Sequence, residues 1–340
     1  MLNTTNQKLS CYPIAILVFL LGSAQLTSAQ QSVPLPSPQD DPQTLAISET
    51  VRVETDLVDL NVTVFSHDPK RVVGHLEQKD FSIFEDGVAQ DISLFASAES
   101  PFDLVLLIDL SASTKDKLKL IQKSATSFVD ATRPSDRVAI VTFTDKIEIV
   151  SPLTFVRDDL RASIKNIQKP HGGTNFWDAL RYVVETMFNP SRTTRRSAVV
   201  MMTDGVDNAL PDVPGPGSLT DFSELAELVG KSDSILIPLY LDTEREMNHD
   251  RRIYSALAYQ MARSQLSQLA TESGSKVYYA REIGDLKDVY RQVIQDLSTV
   301  YSIGYRPLIG TRDGTWRTVK VQLAGRPDLA ARARRGYFAK

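Results

Sequence analysis

Cysteine is almost absent from this sequence, which has 340 residues and one cysteine, Cys11. Residues 1–29 are typical of a secretory signal peptide, with Lys8, the apolar run Ile14–Leu21 and a small-residue cleavage site ending at Ala29. Cleavage there would leave a mature chain without cysteine, which excludes disulfides and thiol chemistry. The apolar run is shorter than the about 20 residues of a membrane-spanning helix, so we expect a secreted, periplasmic or cell-envelope protein. An uncleaved N-terminal anchor is the alternative.

A strong excess of charge of either sign is also lacking. The formal net charge is −4, with 24% charged and 42% apolar residues. This composition is ordinary for a soluble globular protein. It gives no electrostatic argument for binding nucleic acid.

The motifs of common enzyme classes are missing from the sequence. The four histidines are scattered without HExxH spacing, and there is no G-x-S-x-G elbow, no P-loop and no dinucleotide glycine fingerprint. His171, directly before Gly172-Gly173-Thr174, is the best candidate for a catalytic base of a metal-dependent hydrolase. An exposed loop histidine is the simpler interpretation of that residue. The sequence therefore predicts a protein that is not an enzyme.

Periodicity and composition divide the rest of the chain into four segments. Residues 30–49 are rich in proline, serine and aspartate and predict a disordered linker. In residues 50–100 apolar and polar positions alternate between turn signals, which predicts the N-terminal part of a small β-sandwich. Residues 101–300 alternate continuous apolar strands with amphipathic helices, which predicts an α/β fold with a doubly wound, mainly parallel sheet. Residues 301–340 return to a β pattern and are too short for a domain, so we expect them to complete the sandwich around the inserted α/β domain.

Oxygen-bearing side chains follow two of the predicted central strands. The apolar run Leu104–Ile108 ends in Asp109-Leu110-Ser111-Ala112-Ser113, and the run Ala198–Met202 ends in Thr203-Asp204-Gly205. A third segment, Gly172-Gly173-Thr174-Asn175, directly precedes a helical pattern. Ligands of open α/β sheets bind at the carboxyl ends of the strands. One carboxylate and two small hydroxyls suit a hard divalent cation such as Mg²⁺ better than Zn²⁺ or Cu²⁺.

Local structure is the alternative for each of these segments. Ser111, Ser113 or Thr174 could simply cap helices, and Asp204-Gly205 could form an ordinary turn. A chain without a metal site would need all three local explanations at once.

The three segments, in this order, resemble the metal-ion-dependent adhesion site (MIDAS) of von Willebrand factor A domains. The resemblance implies a cation, Mg²⁺ or else Mn²⁺ or Ca²⁺, held by Asp109, Ser111, Ser113, Thr174 and Asp204. It implies that an Asp or Glu carboxylate of a partner protein completes the coordination. We therefore predict a secreted, non-enzymatic adhesion or protein-binding module. A structural or assembly module of the cell envelope, with a vestigial or purely stabilising metal site, is the alternative.

The wider chain order carries a second resemblance. A strand region ending in Asp80-Phe81-Ser82-Ile83-Phe84-Glu85-Asp86-Gly87 precedes the A domain, and Gly304-Tyr305-Arg306-Pro307 and Arg335-Gly336-Tyr337-Phe338 follow it. This layout is similar to that of the von Willebrand factor A-related proteins of Acidobacteria, and it supports the architecture more than any function.

Three further features have open interpretations. Asp207 and Asn208 lack the glutamate of an EF-hand loop, so we interpret them as residues that shape the loop. Phe176 and Trp177 either lie exposed beside the metal or belong to the core. The basic C-terminal residues fit either a membrane-surface role or a solvated strand edge, and they are Arg326, Arg332, Arg334, Arg335 and Lys340.

Overall fold

The structure is a computed structural model that describes residues 57–66, 73–96, 99–111, 117–168, 172–188, 195–246, 254–308, 310 and 312–339. The predicted signal peptide and linker, together with Ser113 and His171, lie outside these ranges. Within the ranges, no helix has the length and apolar character that crossing a membrane requires.

The described residues form a central sheet between two layers of helices, and a separate pair of smaller sheets. The strands are β1 Val58–Ser66, β2 Phe81–Glu85, β3 Val88–Gln90, β4 Ile92–Ala96, β5 Phe102–Asp109, β6 Arg137–Phe143, β7 Ile147–Thr154, β8 Arg196–Thr203, β9 Ile235–Leu241, β10 Tyr278–Ala280, β11 Val300–Tyr305, β12 Trp316–Leu323, β13 Leu329–Arg332 and β14 Gly336–Phe338. The helices are α1 Leu118–Ala131, α2 Arg157–Lys165, α3 Phe176–Tyr182, α4 Phe222–Lys231, α5 Thr243–Glu246, α6 Ala256–Glu272 and α7 Leu286–Leu297. A π-helical turn, Val183–Met187, continues α3.

A six-stranded sheet forms the centre of the molecule, in the order β10-β9-β8-β5-β6-β7. The strands are parallel except β7, which pairs antiparallel with β6 as an edge hairpin. Strand β5 has β6 on one side and β8 on the other, so the chain order reverses between β5 and β8. Open α/β sheets bind ligands at such a reversal point.

Amphipathic helices cover both faces of this sheet with their apolar sides, which confirms the predicted doubly wound α/β fold. One layer contains α1, α2 and α7, and residues such as Phe128 and Tyr290 pack there against β5 and β8. The other layer contains α3, α4 and α6, with Leu180 and Leu266 in its core. Because both faces are covered, every residue of β5 is buried, as its unbroken apolar run indicates.

Both flanks of the α/β region contribute to a small β-sandwich, as predicted. Its two sheets have the orders β13-β1-β11-β4 and β14-β12-β2-β3, so each sheet combines two strands from before the α/β region with two from after it. Leu60, Ile83 and Ile303 lie in the shared core. The buried Glu85 carboxylate accepts hydrogen bonds from the Tyr305 and Tyr337 hydroxyls, at 2.6 and 2.9 Å, and so links the two sheets.

The sandwich contacts the central sheet near the amino-terminal ends of its strands. The Arg334 guanidinium lies 2.9 Å from the Asp233 carboxylate, which stands just before β9. Thr299 donates its hydroxyl to the Val64 carbonyl at 2.8 Å, so α7 passes directly into the sandwich. Arg332 donates to a carbonyl of the α6–β10 loop at 3.1 Å. Arg334, whose side chain is 14% exposed, therefore lies between the two parts and not at a solvated edge. Arg332 is exposed on β13, an edge strand, so the solvated-edge interpretation still fits that residue.

Candidate metal site

Asp109 is the last residue of β5, and its carboxylate is fully buried at the reversal point of the sheet. Its Oδ1 accepts the backbone N–H of Ser111 at 2.9 Å, and its Oδ2 accepts the Thr203 hydroxyl at 2.7 Å. Ser111 is buried too, and its hydroxyl also interacts with the carboxylate. The carboxylate is thus fixed in one orientation from two neighbouring strands.

Asp204 follows β8 and has the same kind of support. Its Oδ1 accepts the Val206 N–H at 3.1 Å, and its Oδ2 accepts the Thr243 hydroxyl at 2.7 Å. Thr243 lies just after β9 and is also 3.3 Å from the Tyr259 hydroxyl. Each carboxylate therefore has one oxygen held by a backbone amide and the other by a threonine.

The turn after Asp204 requires glycine. Gly205 has a φ of +76°, and a Cβ added there would lie 2.7 Å from the Leu266 side chain. An L side chain would be strained by the backbone and crowded by α6. The glycine of the Thr-Asp-Gly segment therefore has a steric reason in this fold.

The two carboxylates are close enough to affect each other's charge. Burial, and then the Asp204 carboxylate, raise the pKa of Asp109 to about 7, while hydrogen bonds from Thr203 and Ser111 oppose that rise. Lys117 adds positive charge, attracted by Asp204 and Glu282, although burial lowers the pKa of its ammonium group. Two buried acids at one edge store electrostatic repulsion that a bound cation would relieve.

Thr174 is fully buried between two neighbouring loops. Its N–H donates to Asn208 Oδ1 at 3.2 Å, and its carbonyl accepts the Asn208 N–H at 2.9 Å. The preceding Gly173 packs closely on the same side chain, since an added Cβ would lie 2.5 Å from Asn208 Nδ2. Asn208 thus shapes the loop, in agreement with its interpretation from the sequence.

The Thr174 hydroxyl is buried without a hydrogen-bond partner of normal geometry among the described residues. Its weak interaction is with the hydroxyl of Tyr254. Asn175 Oδ1, one residue later, is a second buried oxygen that lacks a partner in the described part of the chain. Such atoms are rare in native proteins and often mark the place of an ion or a water.

The buried Tyr254 is part of this site and was missed by the sequence analysis. Burial raises the pKa of its phenol, and the carboxylates of Asp204 and Asp109 raise it further, so the ring stands close to both acids and to Thr174. No local pattern marks a tyrosine 50 residues after Asp204 as a site residue. Thr203 and Thr243 were missed as well, although each stands at the carboxyl end of a central strand.

Asp207 joins the loops around Thr174. It accepts the Trp177 N–H at 3.0 Å, and it accepts both the N–H and the hydroxyl of Ser218, at 3.0 and 2.6 Å. The interpretation of Asp207 as a loop-shaping residue fits these contacts. Phe176 and Trp177 are buried in the core, so they do not lie exposed beside the site.

The donor set of this site suits a hard divalent cation. Asp109, Asp204, Ser111 and Thr174 supply carboxylate and hydroxyl oxygens, whereas Zn²⁺ sites commonly use imidazole or thiolate. Ser113 lies outside the described residues. Among the described residues, no group of three or more histidine, cysteine, aspartate or glutamate side chains could hold a metal ion.

Parts of this chain are similar to known proteins. Mouse (Mus musculus) matrilin-1 is 29% identical over 134 residues, which are 37% of this chain and 27% of that protein, so the chain spans about a quarter of this relative. The mussel byssus proximal thread matrix protein 1, solved with zinc in its MIDAS motif, superimposes with a TM-score of 0.47 at 17% identity over 63% of this chain and 49% of that one. The von Willebrand factor domain of a type V pili tip protein from Porphyromonas gingivalis gives a TM-score of 0.43 at 15% identity, over 58% and 94%.

The family comparison covers almost all of the α/β region. The family model of the von Willebrand factor type A domain matches residues 103–292, more than half of the chain. The match begins at the second residue of β5 and ends within α7. The chain therefore belongs to the von Willebrand factor type A domain family.

Proposed function

We propose that this protein is a non-enzymatic adhesion module that binds a partner protein through a divalent cation. Asp109, Ser111, Ser113, Thr174 and Asp204 would hold Mg²⁺, or Mn²⁺ or Ca²⁺. The cation would supply an electrophilic position for an Asp or Glu carboxylate of the partner. The proposal rests on one observation above all: two buried carboxylates lie at the same sheet edge as a buried threonine hydroxyl whose interaction among the described residues is a weak one with Tyr254.

The protein's own side chains would prepare this site before the cation binds. Thr203 and Thr243 fix one oxygen of each acid, and Asn208 fixes the backbone of Thr174. Little reorganisation is then needed, which favours binding because the ordering has already taken place. The hydroxyl ligands add no negative charge, so the cation would keep enough positive charge to attract an acidic partner.

A structural or assembly module is the second candidate. The arginine contacts that join sandwich and sheet give it a specific basis, because they make one firmly connected body. In that case a cation would stabilise the fold without meeting a partner. The secreted or periplasmic location, the signal peptide and the likeness to the Acidobacteria proteins remain predictions.

Calorimetric titration of Mg²⁺, Mn²⁺ and Ca²⁺ into chelator-treated protein tests the proposal. We expect saturable binding to the wild type and none to Asp109→Ala or Ser111→Ala. The variant Asp130→Ala removes an exposed acid of α1 and should bind like the wild type.

Two outcomes of that titration are decisive. Binding lost only in the two site variants would justify a search for partners that bind in Mg²⁺ and are released by EDTA. A folded wild type that binds none of the three cations would overturn the cation-bridged mechanism and leave the assembly module as the better candidate.

A further inference from the structure

Leu219 is almost completely exposed although its backbone is firmly held. Its side chain is 97% exposed, the highest value among the large apolar residues described. Its N–H donates to Asp178 Oδ2 at 2.9 Å, and the next N–H, of Thr220, donates to Asp178 Oδ1 at 2.8 Å. The preceding residue, Ser218, is bound twice by Asp207. The carboxylates of Asp178 and Asp207 thus fix the backbone of this segment, while the Leu219 side chain stays exposed to solvent.

The same contacts tie Leu219 to the candidate metal site. Asp207 also accepts the Trp177 N–H, three residues after Thr174. Two residues before Leu219, Gly217 lies directly on the backbone of Ala209, since an added Cβ would be 1.9 Å from its nitrogen. Leu219 is therefore positioned on the loop that packs beside Thr174.

Exposed apolar residues also lie on the other flank of Thr174. The Asn175 N–H donates to the Thr144 carbonyl at 2.8 Å, which attaches the Thr174 loop to the β6–β7 hairpin. Ile147 in that hairpin pairs with Phe143, which pairs with Asp109, so it stands level with the site across the sheet. Ile147 and Ile149 are 36% and 43% exposed. We call Ile147, Ile149 and Leu219 the apolar rim.

We propose that the apolar rim is a contact surface for a protein segment whose acidic metal-binding side chain is flanked by apolar side chains. This inference rests on the proposed function and names the kind of partner for the same site. Single exposed apolar residues are ordinary on protein surfaces. The apolar rim differs because its residues lie on both sides of Thr174, a candidate metal ligand, and because hydrogen bonds fix the backbone of the loops that carry them. A partner would therefore bury these side chains without first ordering a loop.

Synthetic peptides test this surface. Each peptide has a central Asp or Glu, and its neighbours are leucine and isoleucine in one set and serine in the other. Binding of labelled peptides to the full chain is measured by fluorescence polarisation in Mn²⁺ and in EDTA. The proteins are the wild type, Leu219→Ser, Ile147→Thr and the control Leu308→Ser. Leu308 is 66% exposed on the sandwich side, and its N–H is also held by a side-chain oxygen, Gln90 Oε1.

The expected result is a preference of the wild type for the apolar set by about tenfold, since burying a leucine changes an equilibrium constant by at least that factor. Leu219→Ser should lose most of this preference and Ile147→Thr part of it, while the control Leu308→Ser should keep it. The cation affinity, measured by calorimetry, should be the same in all four proteins. Binding that occurs in Mn²⁺ and is lost in EDTA, but without a preference for the apolar set or with a preference that survives Leu219→Ser, would overturn this inference and leave the proposed function intact. If the cation binds but no peptide binds in Mn²⁺ beyond its binding in EDTA, the protein-binding proposal itself fails, and this inference fails with it.

Discussion

Asp103 and Asp109 lie at opposite ends of the same strand, β5, and both carboxylates are buried. Asp103 accepts hydrogen bonds from Arg137 and Arg195, with Nε to Oδ1 distances of 2.8 and 2.7 Å. Asp109 instead faces a second acid, Asp204. The residue type, the strand and the burial are the same, so the difference lies in the partner: two guanidinium groups for Asp103, and for Asp109 a second acid, which is the basis for proposing it as a cation ligand.

Replacing Asp103 should have the largest effect on stability. Asp103→Ala would leave two partly buried guanidinium groups without their carboxylate, and we expect the free energy of unfolding to fall by about 3 kcal/mol. Urea unfolding followed by circular dichroism measures this loss. A loss below about 1 kcal/mol would mean that Asp103 is not the structural acid of the pair.

A methyl group at Gly205 should destabilise the protein at the other end of the strands, beside the candidate metal site. Gly205→Ala meets both a φ of +76° and the Leu266 side chain, so we expect a loss of about 2 kcal/mol and weaker cation binding. Gly314 has a similar φ of +69° but open space around it, so Gly314→Ala isolates the backbone cost, about 1 kcal/mol. Equal losses in the two variants, by urea unfolding, would show that Leu266 does not confine the site.

Removing the Thr243 hydroxyl should separate positioning from stability. In Thr243→Val one oxygen of Asp204 loses its donor, and we expect a loss of about 1.5 kcal/mol in stability and about tenfold in cation affinity. Thr243→Ser keeps the hydroxyl and should restore the affinity in the same titration. Full affinity in the valine variant would contradict a positioning role.

Asp109→Asn should have the smallest effect on the metal-free protein. It removes one of two mutually repelling buried charges and keeps the shape of the side chain, so stability in EDTA should stay within about 0.5 kcal/mol of the wild type or rise. The increase in melting temperature on adding Mg²⁺ should disappear, since that increase measures binding to the folded state. Differential scanning fluorimetry with and without Mg²⁺ checks both expectations. A large loss in EDTA would make Asp109 resemble Asp103, and the contrast between the two ends would not hold.

The fold was predictable where one short segment determines its own environment. The unbroken apolar run of β5 indicates a strand covered on both faces, and the alternation of apolar strands with amphipathic helices in residues 101–300 predicted the helices that cover it, as observed. The polar residues after β5 and β8 indicated the edge at which Asp109 and Asp204 meet. These features depend on period and sequence order, which a single chain displays.

Contacts between distant segments could not be predicted in the same way. Thr243 and Tyr254 reach the site from 39 and 50 residues beyond Asp204, and neither carries a local signal. Arg334 was expected in solvent or at a membrane surface because its partner, Asp233, lies 101 residues away. The sequence shows that an arginine is present at this position, whereas its partner depends on how the sandwich packs against the α/β region.

The sandwich and the candidate site lie at opposite ends of the central strands. Eight residues of β5 at about 3.3 Å each place them about 26 Å apart, along a sheet whose strands are hydrogen-bonded to their neighbours. A force on a bound partner would therefore travel along the strands into the arginine contacts at Asp233 and the Thr299 junction. If the candidate site binds a partner, the sheet would act as a stiff spacer that transmits tension between that site and the sandwich.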